Sequence, residues 1–221
     1  MIFRLALGVL FPFQVWACDL ALVLAVDVSG SVDQQEYRIQ MDGLAEALTD
    51  GVIAEVLVGS RAQVALVQWT GSGRQEVTLT WREMTSFHDI ETLRRDISAA
   101  PRTWRHFSTA IGEALMTSAA LFQDVPQCAR RIIDVSGDGV SNEGMRPKHT
   151  HAVLQKEKVT VNALVIEGAD ADLTGYFYEN VILGEGAFVT TANGYLQYPD
   201  KIRQKLLREL IFQSADSTQA R

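Results

Sequence analysis

The chain has 221 residues, of which 47% are apolar and 21% are charged, so it can fill the core of one globular domain. Its formal net charge of −7 argues against nucleic acid and anionic membrane surfaces as ligands. The five prolines and 16 glycines are scattered, and no stretch has the composition of a long flexible linker.

Residues 1–17 have the features of a secretory signal peptide. Arg4 is their only charge, an apolar stretch follows, and Val15 and Ala17 suit the −3 and −1 positions of a cleavage site. The segment is short and interrupted for a membrane span. We therefore expect a periplasmic or secreted protein with no membrane span in the mature chain. The alternatives are an uncleaved anchor, a buried N-terminal strand, or a lipoprotein that carries its lipid on Cys18.

The pattern of apolar residues predicts strands and helices that alternate along the chain. Apolar runs predict strands at 19–27, 63–69, 76–81, 131–136, 159–166 and 187–190. Apolar residues at helical spacing predict helices at 33–49, 90–97, 109–122, 148–157, 173–181 and 199–212. A glycine-rich turn at 70–74 makes one strand antiparallel, at an edge. The predicted fold class is α/β: a doubly wound, mostly parallel, Rossmann-like sheet with helices on both faces. We expect one domain over residues 18–213 and a disordered tail at 214–221.

Five oxygen-bearing side chains are predicted to meet at the carboxyl edge of this sheet. Asp27, Ser29 and Ser31 lie at alternate positions directly after the first strand. Thr109 opens a predicted helix, and Asp138 follows the fourth strand. Open α/β sheets place their sites at this edge, and oxygen-only donors suit a hard cation. The sequence therefore predicts a weak site for Mg²⁺ or Mn²⁺ that leaves a position for a carboxylate from outside the chain.

The chain has two cysteines, Cys18 and Cys128. They precede Asp27 and Asp138, respectively, by similar distances along the chain. If the two aspartates lie at one end of neighbouring parallel strands, the two cysteines lie together at the other end. In an exported protein this arrangement predicts a disulfide.

Three motifs resemble the metal-ion-dependent adhesion site (MIDAS) of von Willebrand factor A domains. They are DVSGS at 27–31, TAIGEAL at 109–115, and the Asp-Gly that closes the fourth strand at 138–139. The resemblance spans about residues 18–211. More narrowly, CDLALVLAVDVSGSVD at 18–33 and RRIIDVSGDG at 130–139 are similar to a bacterial subfamily of secreted, functionally uncharacterised A-type domains, the DUF1194-like domains.

The resemblance implies a role for each predicted site residue. Ser29, Ser31 and Thr109 would be the hydroxyl ligands of the metal. Asp27 and Asp138 would act mainly through water or through hydrogen bonds to the serines. A glutamate or aspartate of a protein partner would complete the shell of ligands.

Departures from the family pattern leave alternatives open. Ser108 is an alternative to Thr109, because the glycines that often precede the family's threonine are missing here. Asp134 is an alternative to Asp138, because the family's usual Thr-Asp-Gly is Gly-Asp-Gly in this chain. His106 is a candidate for the rim of the site.

Two other functions compete with metal-dependent adhesion. GDGVSNEG at 137–144 resembles the acidic loop of haloacid-dehalogenase-type phosphatases, but Ser29 replaces the second aspartate that such enzymes need, and the first lysine, Lys148, comes too late. A structural domain with a vestigial metal site is the other alternative, since Ser31 could simply cap the first helix. We predict a non-enzymatic domain, monomeric in size, that binds a divalent cation and a protein partner.

Overall fold

The computed structural model describes residues 18–168 and 172–218, so the predicted signal peptide lies outside the described residues. A six-stranded sheet has the order β3-β2-β1-β4-β5-β6. Its strands are β1 (Leu20–Asp27), β2 (Gln63–Trp69), β3 (Gln75–Glu83), β4 (Arg130–Gly137), β5 (Val159–Glu167) and β6 (Val189–Asn193). Only the edge strand β3 pairs antiparallel in the described sheet, with β2. The predicted fold class is therefore confirmed.

Helices cover both faces of the sheet. They are α1 (Gln34–Leu48), α2 (Gly51–Gly59), α3 (Phe87–Ala99), α4 (Ile111–Leu121), α5 (His151–Lys156), α6 (Leu173–Asn180) and α7 (Tyr198–Thr218). Helices α1, α2, α3 and α7 contribute to the core on one face, and α4, α5 and α6 to the core on the other. Within the described part of the chain, no helix is both long and apolar enough to cross a membrane.

Strand β1 lies at the centre of the sheet and is buried along its whole length. Leu22 and Leu24 belong to one core, and Ala21 and Val23 to the other. A strand with helices over both faces needs apolar side chains at every position, which explains the continuous apolar run. β1 pairs with β4 in parallel, with Val26 opposite Ser136, so both strands end at the same edge.

Helix α2 was missed by the sequence analysis. The first helix was predicted to end at residue 49, directly before Asp50-Gly51, and α1 does end close by, at Leu48. The carboxylate of Asp50 nevertheless accepts hydrogen bonds from the N–H groups of Val52 and Ile53. Asp50 therefore starts a second helix as its N-cap.

The C-terminal helix is longer than predicted. α7 continues to Thr218, whereas the pattern predicted that this helix ends at Phe212. The sequence between Phe212 and Thr218 contains neither glycine nor proline, so no residue there forces the helix to stop.

Cys18 and Cys128 form a disulfide, as predicted. Their Cα atoms are 4.5 Å apart, and the bond joins positions separated by 110 residues. The Ala129 N–H also donates to the Cys18 carbonyl oxygen at 3.0 Å, which continues the β1–β4 pairing towards the bond. In the lipoprotein alternative a lipid would be attached to the sulfur atom of Cys18. In this structure that atom forms the disulfide.

Candidate metal centre

Asp27 is the last residue of β1, and its side chain is completely buried. Its Oδ1 atom accepts a hydrogen bond of 2.7 Å from the Ser29 N–H. Its Oδ2 atom has no hydrogen-bond partner among the described residues. A Cβ atom at Gly137 would lie 3.2 Å from this Oδ2, so a glycine at the end of β4 leaves room for the carboxylate. A buried acceptor without a donor calls for a ligand or a proton.

The surroundings of Asp27 disfavour its negative charge. Burial, with a smaller contribution from the carboxylate of Asp138, raises the pKa of Asp27 from 3.8 to about 8. Hydrogen bonding from Ser29 and from the backbone of Asp138 acts in the opposite direction and is outweighed. A cation close to both aspartates would relieve their repulsion, so the pair is a favourable place for positive charge.

Two serine hydroxyl groups connect the end of β1 to Asp138. The Oγ atoms of Ser29 and Ser31 are 3.2 Å apart, and Ser31 Oγ donates to Asp138 Oδ1 at 2.6 Å. Ser29 is buried, whereas Ser31 is exposed to solvent. The structure therefore brings both aspartates and both serines together, with oxygen atoms that reach the surface.

The first helix does not use Ser31 as its cap. Asp33 is the N-cap of α1, and its Oδ1 accepts the Glu36 N–H at 2.8 Å. Glu36 Oε2 in turn accepts the Asp33 N–H at 2.7 Å, which completes a capping box. The prediction that Ser31 could cap the first helix is therefore wrong, and its hydroxyl is directed to Asp138 instead.

Thr109 precedes α4 and is 6% exposed. Its N–H donates to Asn142 Oδ1 at 2.9 Å, and its carbonyl accepts the Asn142 N–H at 2.9 Å. A Cβ atom at Gly139 would lie 3.7 Å from Thr109 Oγ1, so the hydroxyl faces the loop that carries Asp138. Ser108 is exposed, and its carbonyl accepts a hydrogen bond from the Thr70 hydroxyl. The geometry therefore favours Thr109 over Ser108.

Asp134 has a different role from Asp138. Its Oδ2 lies 2.6 Å from the Nζ atom of Lys205 on α7, and both side chains are buried. Lys205 Nζ also lies 3.4 Å from Glu209 Oε1. Asp134 thus belongs to a buried ionic cluster beneath α7, whereas Asp138 contacts the serines at the edge of the sheet.

Two residues that the sequence analysis missed support the site. The Tyr195 hydroxyl donates to Asp138 Oδ2 at 2.9 Å, so both oxygens of Asp138 are engaged. Burial and the nearby aspartates raise the pKa of Tyr195, which therefore stays a donor. Arg102 Nη2 donates to the carbonyl oxygens of Val28 and Ser29 at 3.0 and 2.8 Å, which fixes the loop between Asp27 and Ser31.

His106 lies beside the same loop, as the sequence suggested. Its φ angle is 63°, and a Cβ atom at Gly30 would lie 3.3 Å from the Cα atom of His106. The Gly30 N–H donates to the Phe107 carbonyl at 2.8 Å. The close approach explains why the loop has a glycine between its two serines.

A metal at this edge would depend on hydroxyl groups as well as carboxylates. The described residues contain no group of three or more His, Cys, Asp or Glu side chains that could hold a metal ion. The donors that hydrogen bonds bring together are the hydroxyl groups of Ser29 and Ser31 and the carboxylates of Asp27 and Asp138. The hydroxyl of Thr109 faces the loop that carries Asp138. Such a set fits a hard cation that keeps part of its water shell.

Comparison with known proteins places the chain in a family. The model of the family described as "Protein of unknown function (DUF1194)" matches residues 17–214. No curated protein matches the chain significantly.

The solved structures to which the chain is similar include several from adhesive or matrix proteins. Proximal thread matrix protein 1 of the mussel byssus is 20% identical with a TM-score of 0.68, over 86% of this chain and 47% of that one. A von Willebrand factor type A protein from Catenulispora acidiphila is 15% identical with a TM-score of 0.65, over 88% and 43%. The pilus adhesin SpaC of Lactobacillus rhamnosus GG is 13% identical with a TM-score of 0.60, over 87% and 29%.

These similarities establish a von Willebrand factor A-like fold. The chain spans about half the length of the mussel protein that it matches. One structure of the mussel protein has a zinc-occupied MIDAS motif.

Proposed function

This chain belongs to the DUF1194 family and has a von Willebrand factor A-like fold, and on that basis we propose that it is a metal-dependent adhesion module. Ser29, Ser31 and Thr109 would bind Mg²⁺ or Mn²⁺ through their hydroxyl groups. Asp27 and Asp138 would lie behind them and supply the negative charge. The metal would hold an aspartate or glutamate of a protein partner, and the domain would catalyse no reaction.

The observation that supports metal binding most strongly is the unpartnered Oδ2 atom of buried Asp27. Leaving a buried acceptor unpaired costs about 1–3 kcal/mol, and this one lies at the carboxyl edge of the sheet beside a second carboxylate. A hydrated cation would supply the missing donor through a bound water and would also offset the repulsion between Asp27 and Asp138.

The proposed role for a partner carboxylate follows from the charges of the donor set. Hydroxyl groups are neutral, so the metal would keep part of its positive charge where Ser31 is exposed. A carboxylate from another protein is a suitable hard ligand for that position. Similarity in fold to a pilus adhesin and to a byssus matrix protein supports a role in adhesion.

Calorimetry with metal-stripped protein tests the metal site. Mg²⁺ and Mn²⁺ should bind, and Asp27→Ala should abolish binding, because neutral hydroxyl groups with the single carboxylate of Asp138 cannot offset the dehydration of a divalent cation. Asp124→Ala removes an exposed carboxylate and is the matched control, which should bind metal like the wild type. Zn²⁺ is titrated in parallel, because zinc occupies the MIDAS motif of the mussel protein. Equal affinity in the Asp27→Ala and wild-type proteins would contradict the proposal.

A crystal grown with Mg²⁺ and acetate tests the carboxylate ligand directly. We expect density for a cation beside Ser29 and Ser31, with an acetate oxygen in its coordination shell. Pull-down of proteins from the native compartment should then require metal and fail with Asp27→Ala. Capture that persists in chelator would mean that the domain binds its partner in another way.

We also propose that the protein is exported after cleavage of residues 1–17, that the domain spans 18–213, and that it is monomeric.

A further inference from the structure

A second polar cavity lies close to the loop that carries Asp138. It has a volume of about 450 Å³, and the lining residues that matter for its chemistry are Ser141, Arg146, Lys148, His149, Tyr176 and Asn180. Arg146, Lys148 and His149 come from the segment before α5, and Tyr176 and Asn180 come from α6. The cavity therefore brings together donors from different parts of the chain.

The charge of this cavity is opposite to that of the whole chain. Three basic side chains line it and no Asp or Glu does, although the chain carries a net charge of −7. Half of the other arginines of the described residues form ion pairs with carboxylates, namely Arg38, Arg61, Arg82, Arg94, Arg131 and Arg203. Arg146 and Lys148 are exposed and form no such pair within the described ranges. Their positive charge is thus available to an external anion.

Neutral donors complete the lining. The Tyr176 hydroxyl accepts the Ser141 N–H at 3.3 Å, which leaves its own proton free for donation. Burial raises the pKa of this phenol, and the Ser141 N–H and the nearby Arg146 guanidinium act in the opposite direction and are outweighed. Asn180 Nδ2 donates to the Tyr176 carbonyl at 2.9 Å, which fixes the amide beside the cavity. Tyr176 and Asn180 are therefore held in place before any ligand arrives.

We propose that this cavity binds the tetrahedral oxyanion of a phosphate or sulfate ester. The guanidinium of Arg146, the ammonium group of Lys148 and the imidazole of His149 together offer more hydrogen-bond donors than the two oxygens of a carboxylate can accept. A tetrahedral oxyanion offers three terminal oxygens, and a volume of about 450 Å³ leaves space for the group to which it is attached. This site is separate from the proposed metal centre and does not depend on it.

The test uses metal-stripped protein, because phosphate would otherwise bind any cation at the neighbouring site. Inorganic phosphate, inorganic sulfate and acetate are titrated at constant ionic strength, and backbone amide shifts are followed by NMR. Phosphate or sulfate should give saturable shifts centred on Ser141, Lys148 and Asn180, with affinities in the millimolar range. Acetate should bind at least several-fold more weakly.

A double variant and its matched control make the test specific. Arg146→Ala with Lys148→Ala should weaken phosphate or sulfate binding about tenfold or more, because charge-assisted hydrogen bonds are lost. Arg95→Ala with Lys201→Ala removes the same charge elsewhere, and affinity should stay within about twofold of the wild type, since the solvent screens distant charges at the surface. Equal loss in both variants, acetate binding as tight as phosphate, or no saturable shift with either tetrahedral anion would overturn the proposal.

Discussion

The buried carboxyl group of Asp27 should make the metal-free protein less stable as the pH rises. Its pKa is raised to about 8 in the folded state, against 3.8 when the chain is unfolded. The folded protein therefore binds more protons than the unfolded chain between these values. The contribution of Asp27 to the free energy of unfolding is fully present below pH 4 and is lost as the pH rises towards 8. The loss is up to about 1.4 kcal/mol per pH unit, or about 3 kcal/mol between pH 5 and pH 7.

Urea denaturation of metal-stripped wild type and Asp27→Asn at pH 5, 6 and 7 measures this contribution. The variant removes the titrating group, so its stability relative to the wild type should rise with pH. Burial also raises the pKa of Glu209, to about 7, but Glu209 is present in both proteins and cancels in the difference. Asp124→Asn, at an exposed site, should track the wild type.

The same titration should be visible when metal binds. If the cation requires ionised Asp27, then only a minority of molecules has the ionised carboxylate at pH 7, and that fraction is smaller again at pH 6. Apparent metal affinity should fall about tenfold over that interval, with release of nearly one proton per metal. Parallel stability profiles for wild type and Asp27→Asn would refute the reasoning about Asp27, whatever the metal does.

Three further changes have defined outcomes. Ser31→Ala should weaken metal binding in calorimetry by about tenfold or less, since water can replace one hydroxyl, and should leave the fold intact. Changing Cys18 and Cys128 to serine should lower the free energy of unfolding by about 4 kcal/mol, because the bond closes a loop of 110 residues, and peptide mapping without reductant should recover the linked pair. Lys205→Met should cost about 3–5 kcal/mol in urea denaturation at neutral pH, because Asp134 would remain buried without its partner, and a loss below about 1 kcal/mol would contradict the role of the pair.

The central strands could be predicted because their environment is uniform. β1 is covered on both faces, so a continuous apolar run that ends in a polar turn was sufficient to locate it. β4 was located from its apolar residues Ile132, Ile133 and Val135 and from the glycine-rich exit that follows them. α2 was missed because its sequence, GVIAEVLVG, is apolar on most sides and lacks a helical pattern. The cap that begins it, Asp50, has the same appearance in sequence as a residue that ends a helix.

The site was predictable where its residues are close in sequence and not where the tertiary fold brings them together. Asp27, Ser29 and Ser31 form one short motif, and the aligned ends of β1 and β4 add Asp138. Tyr195 could not be assigned, because its hydrogen bond to Asp138 spans 57 residues and depends on the turn that precedes α7. A tyrosine in a loop carries no signal of such a contact.

If the proposed adhesion role places this domain under tension, the disulfide has a mechanical consequence. β1 begins just after Cys18 and β4 just after Cys128, and the two strands run side by side to the aspartates at their far ends. A pulling force that enters the chain at Cys18 divides at once between two covalent paths, one along β1 and one through the sulfur bridge into β4. The hydrogen bonds between the two strands are therefore not sheared from that end. Asp27 and Asp138 would keep their relative positions while the molecule is stretched.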